Sequence, residues 1–268
     1  MGIEKINHTF QKKLADNEKL FVPYIMAGDG GLNILEERIA FLEECNVSAI
    51  ELGIPFSDPV ADGPTIQQAG LRALQQGTTL SAVLNTLKDT AKKRRVPIIL
   101  MTYMNPVLQY GPEEFAADCE GAGVDGVIIP DLPLEEEKII SAPFKAHSLA
   151  LIRLAARTSS DDRLKKLAAK SNSFLYAVSV TGTTGIRSTH DSEVEAYLKK
   201  LKSLSTFPVL AGFGVSNSKQ ARELSSYCDG VIVGSKIVDL FHEGKTGEIR
   251  KLVSESLNIQ IKEAANKY

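Results

Sequence analysis

Eight short runs rich in β-branched and aromatic residues recur along the chain, and the stretches between them carry apolar residues at helical spacing. The runs are 20–26 (LFVPYIM), 48–54 (SAIELGI), 97–103 (PIILMTY), 126–131 (GVIIPD), 150–156 (ALIRLAA), 174–180 (FLYAVSV), 208–213 (PVLAGF) and 230–234 (GVIVG). Segments such as LNILEERIAFLEEC and SEVEAYLKKLKSL fill the gaps and show a helix period. Strands that alternate with helices need crossover connections and therefore run parallel. Eight such units in about 250 residues fit an α/β fold of the (β/α)8 TIM-barrel type better than an open sheet.

A short internal echo points the same way. VDGVII (124–129) and CDGVIV (228–233) open the fourth and eighth runs, the spacing that two matching half-barrels would give. No linker or composition shift marks a second domain, so residues 1–268 are expected to form one. Ile3, Ile6, Phe10 and Leu14 lie at helical spacing within residues 1–18. They predict an extra N-terminal helix covering the barrel floor.

With 43% hydrophobic and 24% charged residues, the chain has ample material for a core. A formal net charge of -2 supplies no attraction for nucleic acid or an anionic membrane. The basic run KKRR at 92–95 reads as a solvated helix end. The opening MGIEKINHTFQKKL has no apolar core of signal-peptide length, and no stretch approaches membrane-spanning length. Cys45, Cys119 and Cys228 are far apart, odd in number and without CxxC spacing, so they read as small buried thiols. A cytoplasmic protein is expected.

The second run contains a carboxylate. In a barrel strand alternate side chains point inward and outward. Ile50, Leu52 and Ile54 form a set suited to helix packing, while Ala49, Glu51 and Gly53 form the inward set. Glu51 then stands in the lumen near the carboxyl end of its strand, where active sites of this fold lie. A buried acid without a strong cationic partner has its ionisation suppressed, which suits a group that gives and takes protons near neutrality. The strand pattern equally allows a structural ion pair, with Arg153 as the partner. Asp62 follows in PFSDPVADGP, a loop restricted by Pro55, Pro59 and Pro64. Asp62 is positioned either to face Glu51 across the mouth or, like Asp58, merely to form a turn.

Three glycine-bearing turns follow the last three runs: TGTTGIRS (181–188), GFGVSN (212–217) and GSKI (234–237). Loops after the seventh and eighth strands, with a short helix N-terminus, form the usual phosphate site of this fold. Gly214, Gly234 and Ser235 are candidate backbone donors, and Gly185 closes the cradle. TGTTGIRS, with Thr184 at its centre, is a candidate lid. The four histidines share no ligand spacing with a cysteine or carboxylate cluster, so no metal site is expected and all four read as surface residues.

ELGIPFSDPVADGPTIQ resembles the signature of the tryptophan synthase α subunit family. FVPYIMAGD, MTYMNPV, VIIPDLPLEE, YAVSVTGTTGIR, VLAGFGVSN and VIVGS resemble family segments in the same order, so the similarity spans essentially the whole chain. It implies a lyase of tryptophan biosynthesis that cleaves indole-3-glycerol phosphate to indole and glyceraldehyde 3-phosphate by a retro-aldol reaction. The glutamate at the place of Glu51 is then the acid/base: it protonates indole C3 and later takes the proton of the side-chain hydroxyl beside the breaking bond. The aspartate at the place of Asp62 engages the indole N–H, and Tyr176 lies beside the glutamate. Tyr24, Ile66, Phe213 and Ile232 fall on substrate-binding positions, Thr184 on the lid threonine, and Gly185, Gly214, Gly234 and Ser235 on the phosphate site. The resemblance further implies no cofactor in this chain and a β subunit carrying pyridoxal phosphate. Asp58 and Pro59 would face that partner in an α2β2 complex. Two departures stand out: AGDGG lacks the proline that many members have after the aspartate, and Tyr24 replaces what is often Phe. The alternatives are a non-catalytic regulatory subunit and a stand-alone lyase.

Overall fold

A strand buried on both faces needs apolar side chains pointing both ways, and the eight runs supply them. In the computed structural model, which describes residues 2–178, 189–212 and 214–259 without the side chains of 189–191, they form β1 (Leu20–Met26), β2 (Ile50–Gly53), β3 (Ile98–Met101), β4 (Gly126–Ile128), β5 (Ala150–Ala156), β6 (Leu175–Val178), β7 (Val209–Gly212) and β8 (Gly230–Val233). The strands pair in chain order, all parallel, and β8 closes on β1. The fold is a TIM barrel. Six of the runs include described residues beyond the ladder, because loop residues at the barrel rims keep strand-like composition.

Side-chain parity follows the expectation for β2. Ile50, Leu52 and Ile54 pack outward with Leu35, Ile39 and Leu42 of the helix Leu35–Glu44. Ala49 faces the lumen with Leu20, Val22, Ile99, Ile128, Ile152 and Ile232. Helix starts are set locally. Thr79, Ser160 and Asn217 accept from backbone N–H groups three residues on, and Pro64 and Pro112 occupy first-turn positions.

The helix Ile3–Ala15 turns Ile6 and Phe10 into the same interior cluster, where the Phe10 ring lies 5.5 Å from that of Phe174. Each large apolar side chain fully withdrawn from water in this way contributes about 1.5–3 kcal/mol.

The internal echo is structural as well. Asp125 accepts from Ile98 N–H at 3.0 Å, and its own N–H donates to the Ile98 carbonyl at 2.8 Å. Asp229 makes the same pair with Val209, at 2.8 and 2.9 Å. Their carbonyls accept from the first residues of β5 and β1. One motif thus ties three consecutive strands at two places half a barrel apart. Lys5 and Lys202 supply the counter-charges.

Cys45, Cys119 and Cys228 are buried free thiols. No helix among the described residues is long and apolar enough to cross a membrane.

Candidate active site

Glu51 sits in the middle of β2, opposite Tyr24 on β1 and Ile99 on β3. It is 1% exposed, and its Oε2 has no hydrogen-bond partner among the described residues. Arg153, the candidate counter-ion, points the other way. It forms a two-pronged pair with Glu137 at 2.7 and 2.9 Å on the outer side of β5. Among the described residues Glu51 therefore stands in the lumen without a neutralising cation. Burial, and secondarily the charge of Asp62, push its carboxyl up to about 8.

Asp62 is delivered by the loop after β2. The loop curls through Val60 N–H to the Asp58 carbonyl (2.9 Å) and Asp62 N–H to the Pro59 carbonyl (3.0 Å). Pro64 then starts the helix Pro64–Gln75, and the Gln67 side chain donates to the Asp62 carbonyl at 2.9 Å. Asp62 is half-buried. Burial pushes its carboxyl up to about 6, and the Tyr103 hydroxyl facing it works in the opposite sense. At neutral pH one acid keeps its proton while the other is an anion.

Tyr103 is a site residue that the sequence reasoning passed over. It accepts from Ala61 N–H at 3.0 Å, and its ring lies 5.3 Å from that of Phe56, so it holds both ends of the Asp62 loop. The signal was present in PIILMTY: Ile99 and Met101 line the interior, and the same alternation carries Tyr103 inward.

Two further phenols complete the lumen group. Tyr24 and Tyr176 both feel the charges of Glu51 and Asp62, and burial is the main cause that raises their pKa well above the usual range. Each lies over a glycine. A Cβ on Gly53 would come within 1.9 Å of the Tyr24 hydroxyl, and one on Gly212 within 2.3 Å of the Tyr176 ring. No larger residue fits at either place without displacing the ring.

Ile66 and Gly234 adjoin Tyr24: a Cβ at Gly234 would lie 3.8 Å from Tyr24 Cβ and 3.9 Å from Ile66 Cδ1. Gly234 caps the helix Ser235–His242, whose first turn begins with Ser235. Gly214 turns the chain after β7 at φ 64°. Ile232 belongs to the interior cluster, paired with Val22. Asp58 is exposed and Pro59 half-buried, on the outer part of the Asp62 loop. Thr184, Gly185 and Phe213 lie outside the described residues.

Elsewhere, Asp29 of the AGDGG turn receives two hydrogen bonds from Arg72, at 2.7 and 2.8 Å, which anchor that loop. His8 and His242 are exposed. His147 is only partly so, being paired with Glu120 at 2.7 Å. No metal-binding cluster occurs among the described residues.

Protonated and ionised acids facing one another at the mouth of a parallel barrel suit carbon–carbon bond cleavage with proton transfer. A family model described as tryptophan synthase alpha chain matches residues 10–267. The chain belongs to the tryptophan synthase alpha chain family. It is 54% identical over 261 residues to the tryptophan synthase alpha chain of Oceanobacillus iheyensis, covering 97% of this chain and 100% of that one. Among solved structures it is similar to tryptophan synthase subunit alpha from Legionella pneumophila, with TM-score 0.84 and 32% identity over 95% and 97% of the two chains. It is also similar to a chain of Mycobacterium tuberculosis tryptophan synthase, with TM-score 0.86 and 34% identity over 94% and 96%. Family membership makes the chain a lyase of tryptophan biosynthesis that cleaves indole-3-glycerol phosphate to indole and glyceraldehyde 3-phosphate.

Proposed function

We propose that Glu51 and Asp62 divide the chemistry of this lyase. Glu51, holding its proton at neutral pH, delivers it to indole C3. Asp62, an anion there, takes the hydrogen bond of the indole N–H and offsets the positive charge that C3 protonation creates. Glu51, now ionised, removes the proton of the hydroxyl beside the breaking bond, the C–C bond opens, and the electrons return to the indole ring. The observation that carries this assignment is the pairing of an uncompensated lumen acid, raised to about 8, with a rim acid at about 6. A pair of acids separated in this way can perform both proton steps near pH 7.

Tyr176 stands beside Glu51 and shapes the cavity. Tyr24, Ile66, Ile232 and Phe213 form the apolar walls for the indole ring. Gly214, Gly234 and Ser235, with Gly185, hold the phosphate through backbone N–H groups at a helix N-terminus, where the dipole favours an anion. Thr184 belongs to the segment that closes over the substrate. The chain works as one domain of 268 residues in the cytoplasm and has no cofactor of its own.

Its partner is a tryptophan synthase β subunit, where pyridoxal phosphate supports the joining of indole to serine. Asp58 and Pro59 meet that partner in an α2β2 complex. Val60, next to them in the chain, is 83% exposed and leaves an apolar side chain on that face for a partner to cover.

The test is indole release from indole-3-glycerol phosphate by the full chain, alone and with a tryptophan synthase β subunit added. Release that rises on adding the β subunit is expected. Full activity without it identifies a stand-alone lyase, and no release in either case a regulatory subunit.

A further inference from the structure

Tyr24 and Glu51 are cross-strand neighbours in direct register, and among the described residues both polar ends lack a good partner. Glu51 Oε2 has none among the described residues. The Tyr24 hydroxyl, on a residue 5% exposed, reaches among the described residues only Met26 Sδ at 4.0 Å, a weak acceptor. Buried polar groups are ordinarily satisfied, so an unpaired carboxyl oxygen beside a hydroxyl that has only a weak sulfur acceptor calls for a cause.

The ring of Tyr24 is fixed by apolar neighbours that bring no charge: Met26 on its own strand, Ile66 and Ala69 on the helix Pro64–Gln75, and Val238 on the helix Ser235–His242. Its hydroxyl hangs over Gly53. Gly53 and Glu51 point to the same side of β2, two residues or roughly 7 Å apart. The hydroxyl thus sits one side-chain step toward the mouth from Glu51, within the swing of that carboxyl. The titratable groups that face it are Glu51 on β2, Asp62 on the loop, Tyr103 beyond β3 and Tyr176 on β6. The phenol remains a donor at any working pH.

We infer that Tyr24 is a positioning residue for Glu51: its hydroxyl donates a hydrogen bond to the Glu51 carboxylate while that acid is without its proton. The phenol keeps its own proton throughout. A donor to the charged form favours that form, so it eases delivery of the proton to the substrate. It also holds the carboxylate aimed for the next transfer. A phenylalanine at this position fills the same space without this control. The inference rests on the acid/base assignment of Glu51.

Tyr24→Phe in the full chain is the test, with indole-3-glycerol phosphate as substrate. kcat is expected to fall about tenfold, the loss of one hydrogen bond to a charged group, with KM changed less than about twofold. The Glu51 titration, read by carbon NMR on glutamate-labelled protein and as the alkaline limb of kcat, should move up by about half a unit or more. Unchanged kcat and unchanged titration would overturn the inference. So would a set in which Tyr24→Leu is impaired while Tyr24→Phe matches wild type, because the ring alone would then matter. Full turnover in Glu51→Gln would instead overturn the acid/base assignment, so the two failures are distinguishable.

Discussion

At the floor of the barrel, Asp125 and Asp229 are 4% and 6% exposed, and each accepts a strand N–H and faces a lysine. At the mouth, Glu51 is buried at least as deeply, yet among the described residues it has no cation and one oxygen without a partner. The floor carboxylates lock neighbouring strands together, and the helix Ile3–Ala15 contributes Lys5 to Asp125 while its Ile6 and Phe10 close the interior cluster. The mouth carboxyl is held in a state that costs free energy above its usual pKa, because burial without compensation forces it to keep its proton. Buried charge that is fully partnered serves the fold. A buried acid left unpartnered keeps its proton near neutrality and is available to a substrate.

This contrast predicts that substitutions at the two ends separate activity from stability. The largest effect is expected from Glu51→Gln, which keeps the shape and removes the proton: lyase turnover should drop on the order of 10³-fold or more, while substrate binding survives. Near-wild-type turnover would break the comparison. The same variant should be more stable than wild type, with a set pH dependence. Glu51 rises on folding from 4.5 to about 8. Between those values the folded state holds a proton that the unfolded chain has lost, so wild-type stability falls as pH rises through that window. Urea midpoints should show the advantage of Glu51→Gln growing from pH 5 to pH 8.

Phe10→Ala at the floor should do the reverse. It opens a cavity against Phe174 and should cost about 3–5 kcal/mol in urea unfolding, while kcat per folded molecule stays within about twofold. Asp62→Asn should lower kcat by about 10²-fold, the usual cost of losing one preorganised electrostatic contact. It should also erase the acidic limb near pH 6, where protonation of Asp62 switches off the wild type; a loss under tenfold counts against its role. The smallest effect is expected from Asp125→Ala, which leaves the Ile98 N–H without its side-chain acceptor and should cost about 1–3 kcal/mol of stability. A change in the pH–rate profile of that variant would show that the two ends are not independent.

Much of this contrast was legible beforehand, for identifiable reasons. Strand alternation fixes which side of β2 Glu51 occupies, and the inward set Ala49, Glu51 and Gly53 was evident from spacing alone. The repeat of VDGVII in CDGVIV marked the paired aspartate ties at the floor, although the hydrogen bonds that make them equivalent were not visible in the letters. Tyr103 was passed over because its importance comes from a contact with Ala61, 42 positions away along the chain. Arg153 was open as a partner of Glu51 until its outward direction and its bond to Glu137 were known.

The sequence by itself determined the architecture, since periodicity and parity are local and survive without knowledge of neighbours. It also carried the family motifs that name the two acids. Tertiary structure alone decided which charges are compensated. Ion pairing and desolvation depend on distances between strands remote in the chain, and those distances exist only once the barrel has closed.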